Sequence, residues 1–325
     1  MSTKKKIPDK PAYNGKVYNF CGQKKLILAV CVILFAALIV GVIIRGDNRS
    51  IEFKGGTMLT YTYEGDLSTS DVKSLVEDVT GQNVTVRTGK DINTGDAQFT
   101  ISMTTGDFDA DKQAELTTKL KEKFSENDLK DAEAVNVTST TGKEFLLKCV
   151  IAVIFAALVI ILYIAVRFRN IGGWSAGMCS VFALLNDLIA AMAVSFIFGF
   201  EFSANTVAVI LTILGYSINN TIVIYDRIRE NRKLMPKATL NELINTGCSQ
   251  SLTRSIRTSI TTISTMLIIT IVVLIKGYSS LLSFSVPLMA GLISGTFTSL
   301  FVAPVTWSWM KGRANKKDKK EKKED

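Results

Sequence analysis

The 325-residue chain carries 38 Lys and Arg against 29 Asp and Glu, a net charge of +9, and 47% of its residues are hydrophobic. A mean hydropathy of +0.27 is too apolar for an ordinary soluble protein and too mild for membrane helix alone, and the length exceeds that of a usual single domain. Histidine is absent from the sequence, which excludes Ser-His-Asp hydrolysis, Cys-His proteolysis and histidine-ligated zinc.

Residues 1–25 form a basic segment with seven lysines, Lys4, Lys5, Lys6, Lys10, Lys16, Lys24 and Lys25. The apolar run Leu26–Ile44 follows, long enough to cross a bilayer. It exceeds a signal-peptide core and no A-x-A site follows it, so it reads as a retained anchor over 26–44.

The next segment, 45–145, is expected to be a folded domain outside the membrane. Residues 46–145 hold 19 acidic and 11 basic residues, leaving the remainder strongly basic. Residues 56–63 alternate Leu59, Tyr61 and Tyr63 with Met58, Thr60 and Thr62, which predicts a strand. Ser68 with Asp71 forms a capping pair for a helix whose Val72, Leu75, Val76 and Val79 share one face and which Gly81 closes. Val84 and Val86 begin a short strand, and Phe99, Ile101 and Met103 another after the NTGD turn. Asp109 can cap a second helix lined by Leu116, Leu120 and Phe124, and Val135 and Val137 supply the last strand. This β-α-β-β-α-β order is the split-βαβ pattern of ferredoxin-like folds.

Five further spans are expected at 146–166, 174–198, 203–225, 258–275 and 281–303, with a connecting loop at 226–257 and a basic tail at 304–325. Lys and Arg concentrate before the first span, at Arg167 and Arg169, in 226–257 and in the tail, whereas the FGFE and KGYS links are nearly free of them. The positive-inside rule therefore predicts both termini in the cytoplasm and 45–145 outside. Basicity confined to one membrane face points to lipid or protein contact there, and not to nucleic acid. Cys21, Cys31, Cys149, Cys179 and Cys248 are scattered singly and read as small buried hydrophobes. No phosphate loop, paired catalytic carboxylates, metal set or cofactor motif is found, so neither enzymatic activity nor a cofactor is expected.

Polar groups within spans are the functional pointers, because each ionisable residue there costs roughly 2.5–3.5 kcal/mol. Asp187 lies mid-span beside Asn186, either as a packing hydrogen-bond acceptor or on an ion or proton path. In GYSINNTIVIYDRIREN, Gly215 with Asn219 and Tyr216 with Asn220 are spaced i, i+4, and Asp226 follows on the same side. Arg254, Thr258, Thr261 and Thr265 form a stripe on the next span, and the two stripes are expected to face each other. Gly291 and Gly295 have the G-x-x-x-G spacing of close helix packing.

IEFKGGTMLTY after the first span, GYSINNTIVIYDRIRENRK and SLTRSIRTSITT together resemble the SecF family, smaller membrane subunits of the SecD–SecF complex of bacterial protein export. The resemblance covers residues 20 to about 310. It implies an RND-like half with six transmembrane helices plus the ferredoxin-like domain, in the bacterial cytoplasmic membrane. It further implies a SecD-like partner, the SecYEG channel, YajC and a translocating preprotein, with a proton or sodium gradient driving export. Family pathway positions map onto Asn220 (usually aspartate), Asp226, Arg227, Arg229 and Arg254. Asp187 matches an [HN]-D element, Gly215 and Tyr216 the span-four motif, and Gly55, Gly56 and Thr57 the GGT element. Gly55 and Gly56 are expected at a tight join between the first span and the first strand. Because asparagine cannot titrate, the switch charge is expected in the partner, with Asn219 and Asn220 hydrogen-bonded to the stripe begun by Arg254. Alternative readings are an RND-like small-molecule exporter subunit and a purely structural translocon assembly factor.

Overall fold

The computed structural model describes residues 15–104 and 110–312. The cap expected at Asp109, the lysines before residue 15 and the tail beyond residue 312 lie outside the described residues. Six helices are long and apolar enough to cross a membrane, and a small four-stranded sheet lies between the first two.

Helix α1 (Lys24–Arg45) leads into a single turn, α2 (Ile51–Lys54), and strand β1 (Gly56–Tyr63). Then follow α3 (Thr69–Thr80), β2 (Thr85–Lys90), β3 (Ala97–Met103), α4 (Ala110–Lys123) and β4 (Lys130–Val137). The sheet order β2-β3-β1-β4, with every neighbouring pair antiparallel, is the split-βαβ arrangement. The inward residues Leu59, Tyr61, Phe99, Ile101 and Met103 pack on Val72 and Val76 of α3 and Leu116 and Leu120 of α4. Gly81 closes α3 in the left-handed conformation at φ 67°. The Ser68–Asp71 capping pair does not form: Ser68 occupies the N-cap, but its hydroxyl meets that of Ser70 at 2.8 Å. At the NTGD turn, Asp91 Oδ1 accepts the amides of Asn93 (2.7 Å) and Thr94 (2.9 Å), an Asx turn that sets the hairpin.

The remaining helices are α5 (Ser139–Arg167), α6 (Gly173–Phe198), α7 (Ala204–Leu234), α8 (Leu240–Lys276) and α9 (Ser279–Phe297). A π-helical turn, Thr298–Val302, interrupts the last span, which continues to Gly312. α6, α7 and α9 form the centre of the bundle; α1 and α5 pack on α6, and α8 packs on α7 and α9. Outer faces such as Leu28, Ile33, Phe155, Leu158, Ile268 and Ile275 are exposed apolar surface, suited to lipid. The segment 226–257, expected as a loop, is almost wholly helical, with only residues 235–239 between α7 and α8. Hydropathy marks where a helix leaves the apolar layer and not where it ends: Ile228, Leu243, Ile244 and Cys248 keep the extensions packed in one core with Tyr225 and Trp307. Thr239 and Glu242 close a reciprocal capping box at the start of α8.

The sheet meets the bundle through short polar contacts. Arg87 Nη2 lies 3.1 Å from Glu201 Oε1 and donates to Gly199 O at 3.2 Å, both in the α6–α7 link. Ser279 Oγ at the start of α9 donates to Thr88 O at 2.7 Å. Phe53 of α2 is wholly buried, with ring centroids 5.4 Å from Phe145 and 5.2 Å from Phe202.

Candidate functional site

Asp187 sits on α6 with no exposed surface. Its Oδ2 accepts a hydrogen bond from Ser217 Oγ of α7 at 2.6 Å. Its Oδ1 accepts from Ser294 Oγ of α9 and from Thr298 Oγ1, the first residue of the π turn, each at 2.7 Å. Ser294 and Thr298 are i, i+4, so one face of the last span presents both hydroxyls. Gly295 lies between them, and a Cβ there would come within 3.2 Å of the Ser217 side chain and 3.4 Å of Asp187 Oδ2. The glycine is thus what allows α9 to approach the carboxyl this closely. Gly291, one turn earlier, has its missing Cβ position filled by the Ile213 side chain of α7.

Among the described residues no cation pairs with Asp187. Its neighbours are neutral hydroxyls, which can donate to an ionised carboxylate or accept from a protonated one by rotating. The hydroxyls can serve both charge states of the carboxyl, although an unpaired charge in hydrocarbon is expensive. Beside it Asn186 Nδ2 is used internally, donating to Phe182 O at 2.8 Å.

On α7, Asn220 is buried and its Nδ2 finds no partner among the described residues, nor does the buried hydroxyl of Tyr216. Asn219 and Gly215 lie on the exposed side of the same helix. The expected hydrogen bonds between Asn219, Asn220 and the next span are absent because Arg254, Thr258, Thr261 and Thr265 point away from the bundle. Thr261 and Thr265 bond their own backbone instead, to Arg257 O (2.9 Å) and Thr261 O (3.0 Å). The inward stripe of α8 is Ser251, Ser255 and Ser259; spacing alone fixes that a stripe exists and not which of two stripes turns inward.

At the basic end of the bundle, Asp226 is shared by Arg229 (2.8 Å) and Arg167 (3.2 Å). Arg227 donates to Gln250 Oε1 at 2.7 Å and pairs with Glu230. Asp226, Arg227, Arg229, Glu230 and Gln250 line, with Arg254, an open cavity of about 680 Å³ between α7 and α8. Asp226 is committed to two arginines, which leaves Asp187, among the described residues, as the membrane carboxyl without a counter-ion.

Gly55 and Gly56 join α2 to β1 at φ 84° and 145°, conformations that disfavour other residues. A Cβ on Gly55 would strike the Ser139 backbone, and one on Gly56 the Met103 carbonyl oxygen. Thr57 follows them, buried in the strand. Sequence reasoning used Arg167 only for orientation and did not single out Phe53, Ser217, Ser294 or Thr298. The i, i+4 hydroxyl pair in the last span was the available signal for two of them.

A family model described as protein export membrane protein SecD/SecF, C-terminal, matches residues 116–313. The chain is 30% identical over 293 residues to protein translocase subunit SecF of Pseudomonas aeruginosa, covering 90% of this chain and 91% of that protein. It is 32% identical over 305 residues to SecDF of Bacillus subtilis, where it covers 93% of this chain but spans only 39% of the relative. A crystal structure of SecDF from Thermus thermophilus superposes with a TM-score of 0.76 at 28% identity, over 93% of this chain and 40% of that one. From these matches and the six-span architecture with its small sheet domain, the chain belongs to the SecD/SecF family of protein-export membrane proteins, on the SecF side.

Proposed function

We propose that this chain is the SecF-type half of a two-part accessory to the Sec channel, using an ion gradient to assist the outward passage of preproteins. The observation that carries the reading is a polar strip exposed at membrane depth. On α7 it comprises Gly215 and Asn219, and on α8 Arg254, Thr258, Thr261 and Thr265. Val223, one turn from Asn219, and Arg254 line the same cavity, so the two polar faces meet one groove at the basic end of the bundle. Thr261 and Thr265 are satisfied by their own helix backbone, but the Asn219 amide and the Arg254 guanidinium turned to lipid would lack partners. A second helical protein covering the strip removes that cost, and the fused relatives, of which this chain matches under half, supply its kind: a SecD-like half. SecYEG, YajC and preprotein complete the assembly in this reading, which sets the sheet domain outside a bacterial cytoplasmic membrane and both termini inside.

Coupling passes through Asp187 in this proposal. An asparagine would fill the same hydroxyl cage at a lower burial cost, so a carboxyl there points to a group that changes charge. One charge crossing a 100 mV potential yields about 2.3 kcal/mol, enough to bias a bistable packing. This moves the titrating group from the partner, where the sequence alone located it, to this subunit. Affinity purification in mild detergent tests the assembly: the tagged chain retains a SecD-like protein and the Sec channel, and recovery of neither contradicts the reading.

A further inference from the structure

We infer that the basic end of the bundle contains a binding site for a phosphate group, separate from the Asp226 cavity. Three chain segments converge there: the turn Arg169–Ile171 between α5 and α6, the last turn of α7, and the end of the final span. They enclose a concavity of about 660 Å³ lined by Arg169, Arg232 and Lys311, with Asn170, Ser308 and the Trp307 ring in its wall. No acidic residue lines it.

The contrast with the neighbouring cavity is what gives this cluster meaning. There, two carboxylates lie among the basic residues: Asp226 pairs with Arg229 and with Arg167 beside the cavity, and Glu230 with Arg227, leaving Lys233 and Arg254. Here, none of the three cations is ion-paired with any described residue, and Arg232 donates only to Ala238 O at 3.2 Å. The Glu242 carboxylate in the first turn of α8 is occupied by the amide and hydroxyl of Thr239, at 2.8 and 2.9 Å. The concavity is also held in shape. Trp307 is fully buried and donates from Nε1 to Ser175 Oγ at 3.0 Å, while Ser308 bonds Asn241 across the gap. Like charges brought together by three separate links repel unless an anion lies between them. Guanidinium forks with an ammonium and amide donors suit the oxygens of a phosphate monoester or diester.

Both a phospholipid headgroup and a soluble phosphate carry this chemistry. The position, at the ends of spans α5 and α7 with Trp309 exposed on the same terminal helix, matches the depth of headgroups.

The test uses the full chain in detergent, with phosphatidylglycerol or phosphatidylcholine added in one arm and inorganic phosphate in the other. Lipid retention is read by native mass spectrometry and phosphate binding by tryptophan fluorescence. The triple variant R169Q/R232Q/K311Q is compared with K16Q/K25Q/K237Q, which removes equal charge elsewhere on the same face. A basic residue that reaches the bound anion is worth about fivefold in affinity, so the first triple, which lines the concavity, loses about a hundredfold and the second, outside it, little. The exposed single variant R169Q, which disturbs no packing, loses about fivefold. Preference for phosphatidylglycerol over phosphatidylcholine, lost in the first triple alone, supports a lipid occupant. Binding of inorganic phosphate alone, with the same variant pattern, supports a soluble one. Equal losses in the two triples, or no binding in either arm, overturn the site.

Discussion

Thr298 donates to Asp187 at 2.7 Å from the first residue of the π turn that breaks the last span. A buried membrane carboxyl without a counter-ion among the described residues is therefore tied to the point where α9 departs from regular hydrogen bonding. Such turns expose backbone groups and shift helix register at low cost, which makes the pair a natural place for charge to move a helix.

Replacing Asp187 by leucine leaves the Ser217, Ser294 and Thr298 hydroxyls without their acceptor. Each buried unpaired group costs about 1–3 kcal/mol, and the bond of Thr298 to Gly295 O at 3.3 Å recovers part of that. Asp187→Leu is expected to lower thermal stability in detergent by several degrees, and Asp187→Asn, which keeps an acceptor and adds a donor, by little.

Gly55→Val and Gly56→Val are expected to loosen the sheet domain from α5. Positive φ costs about 1–2 kcal/mol for an L residue, and in addition the new side chain strikes the Ser139 backbone or the Met103 carbonyl. Limited proteolysis should cut faster between residues 45 and 60; a wild-type digestion rate for both variants contradicts the account. Phe53→Ala, which empties the space between Phe145 and Phe202, should cost about 3–5 kcal/mol and act at the same junction.

The latch between the sheet and the bundle depends on pH with a defined sign. Burial raises the Glu201 carboxyl above its usual value, with Glu52 adding to the rise and Arg87 and Lys54 opposing it. A carboxyl raised in the folded state contributes stability that is complete below its unfolded value, about 4.3, and is lost as pH rises through the raised value. Glu201→Gln resembles the protonated form, so the variant should be more stable than wild type at pH 7–8, with the difference shrinking toward pH 4. The opposite slope would mean that attraction to Arg87 outweighs burial. Asp47 acts in the other direction: the Arg49 guanidinium holds its carboxyl well below the usual range, and its contribution is lost on acidification. Comparing wild type with Glu201→Gln at each pH removes that background.

Thr258→Leu and Asn219→Leu should leave the isolated chain as stable as wild type, since both side chains face outward. Recovery of the SecD-like partner after detergent extraction should fall several-fold in the double variant. Unchanged recovery would leave the polar strip without its proposed occupant.

The sheet domain was readable because its code is local. Alternation from Gly56 to Tyr63 and the valines of α3 each specify a face, and the NTGD turn and Gly81 specify where chain direction changes. The membrane site was readable only as composition. Hydropathy located the six spans, and Asp187 stands out as a charge within one. Yet whether Thr258 or Ser255 turns inward is decided by which helix α8 packs against, a non-local matter. The same holds for Gly295, whose spacing predicts close packing but not that the approach brings two hydroxyls onto a carboxyl. The 226–257 connection reads as a loop because it is polar, whereas in the structure those polar residues coat the extensions of α7 and α8.

The account rests most heavily on Asp187 as the group that changes charge. The direct measurement is gradient-driven export of a preprotein into vesicles carrying Asp187→Asn, assembled with its SecD-like partner and the Sec channel, with proton and sodium gradients collapsed separately. The account predicts normal protein level and partner binding, with the gradient-dependent component of export reduced at least about tenfold, a barrier change of about 1.4 kcal/mol. Export that remains fully gradient-dependent in the variant would contradict it and assign the titrating group to the partner.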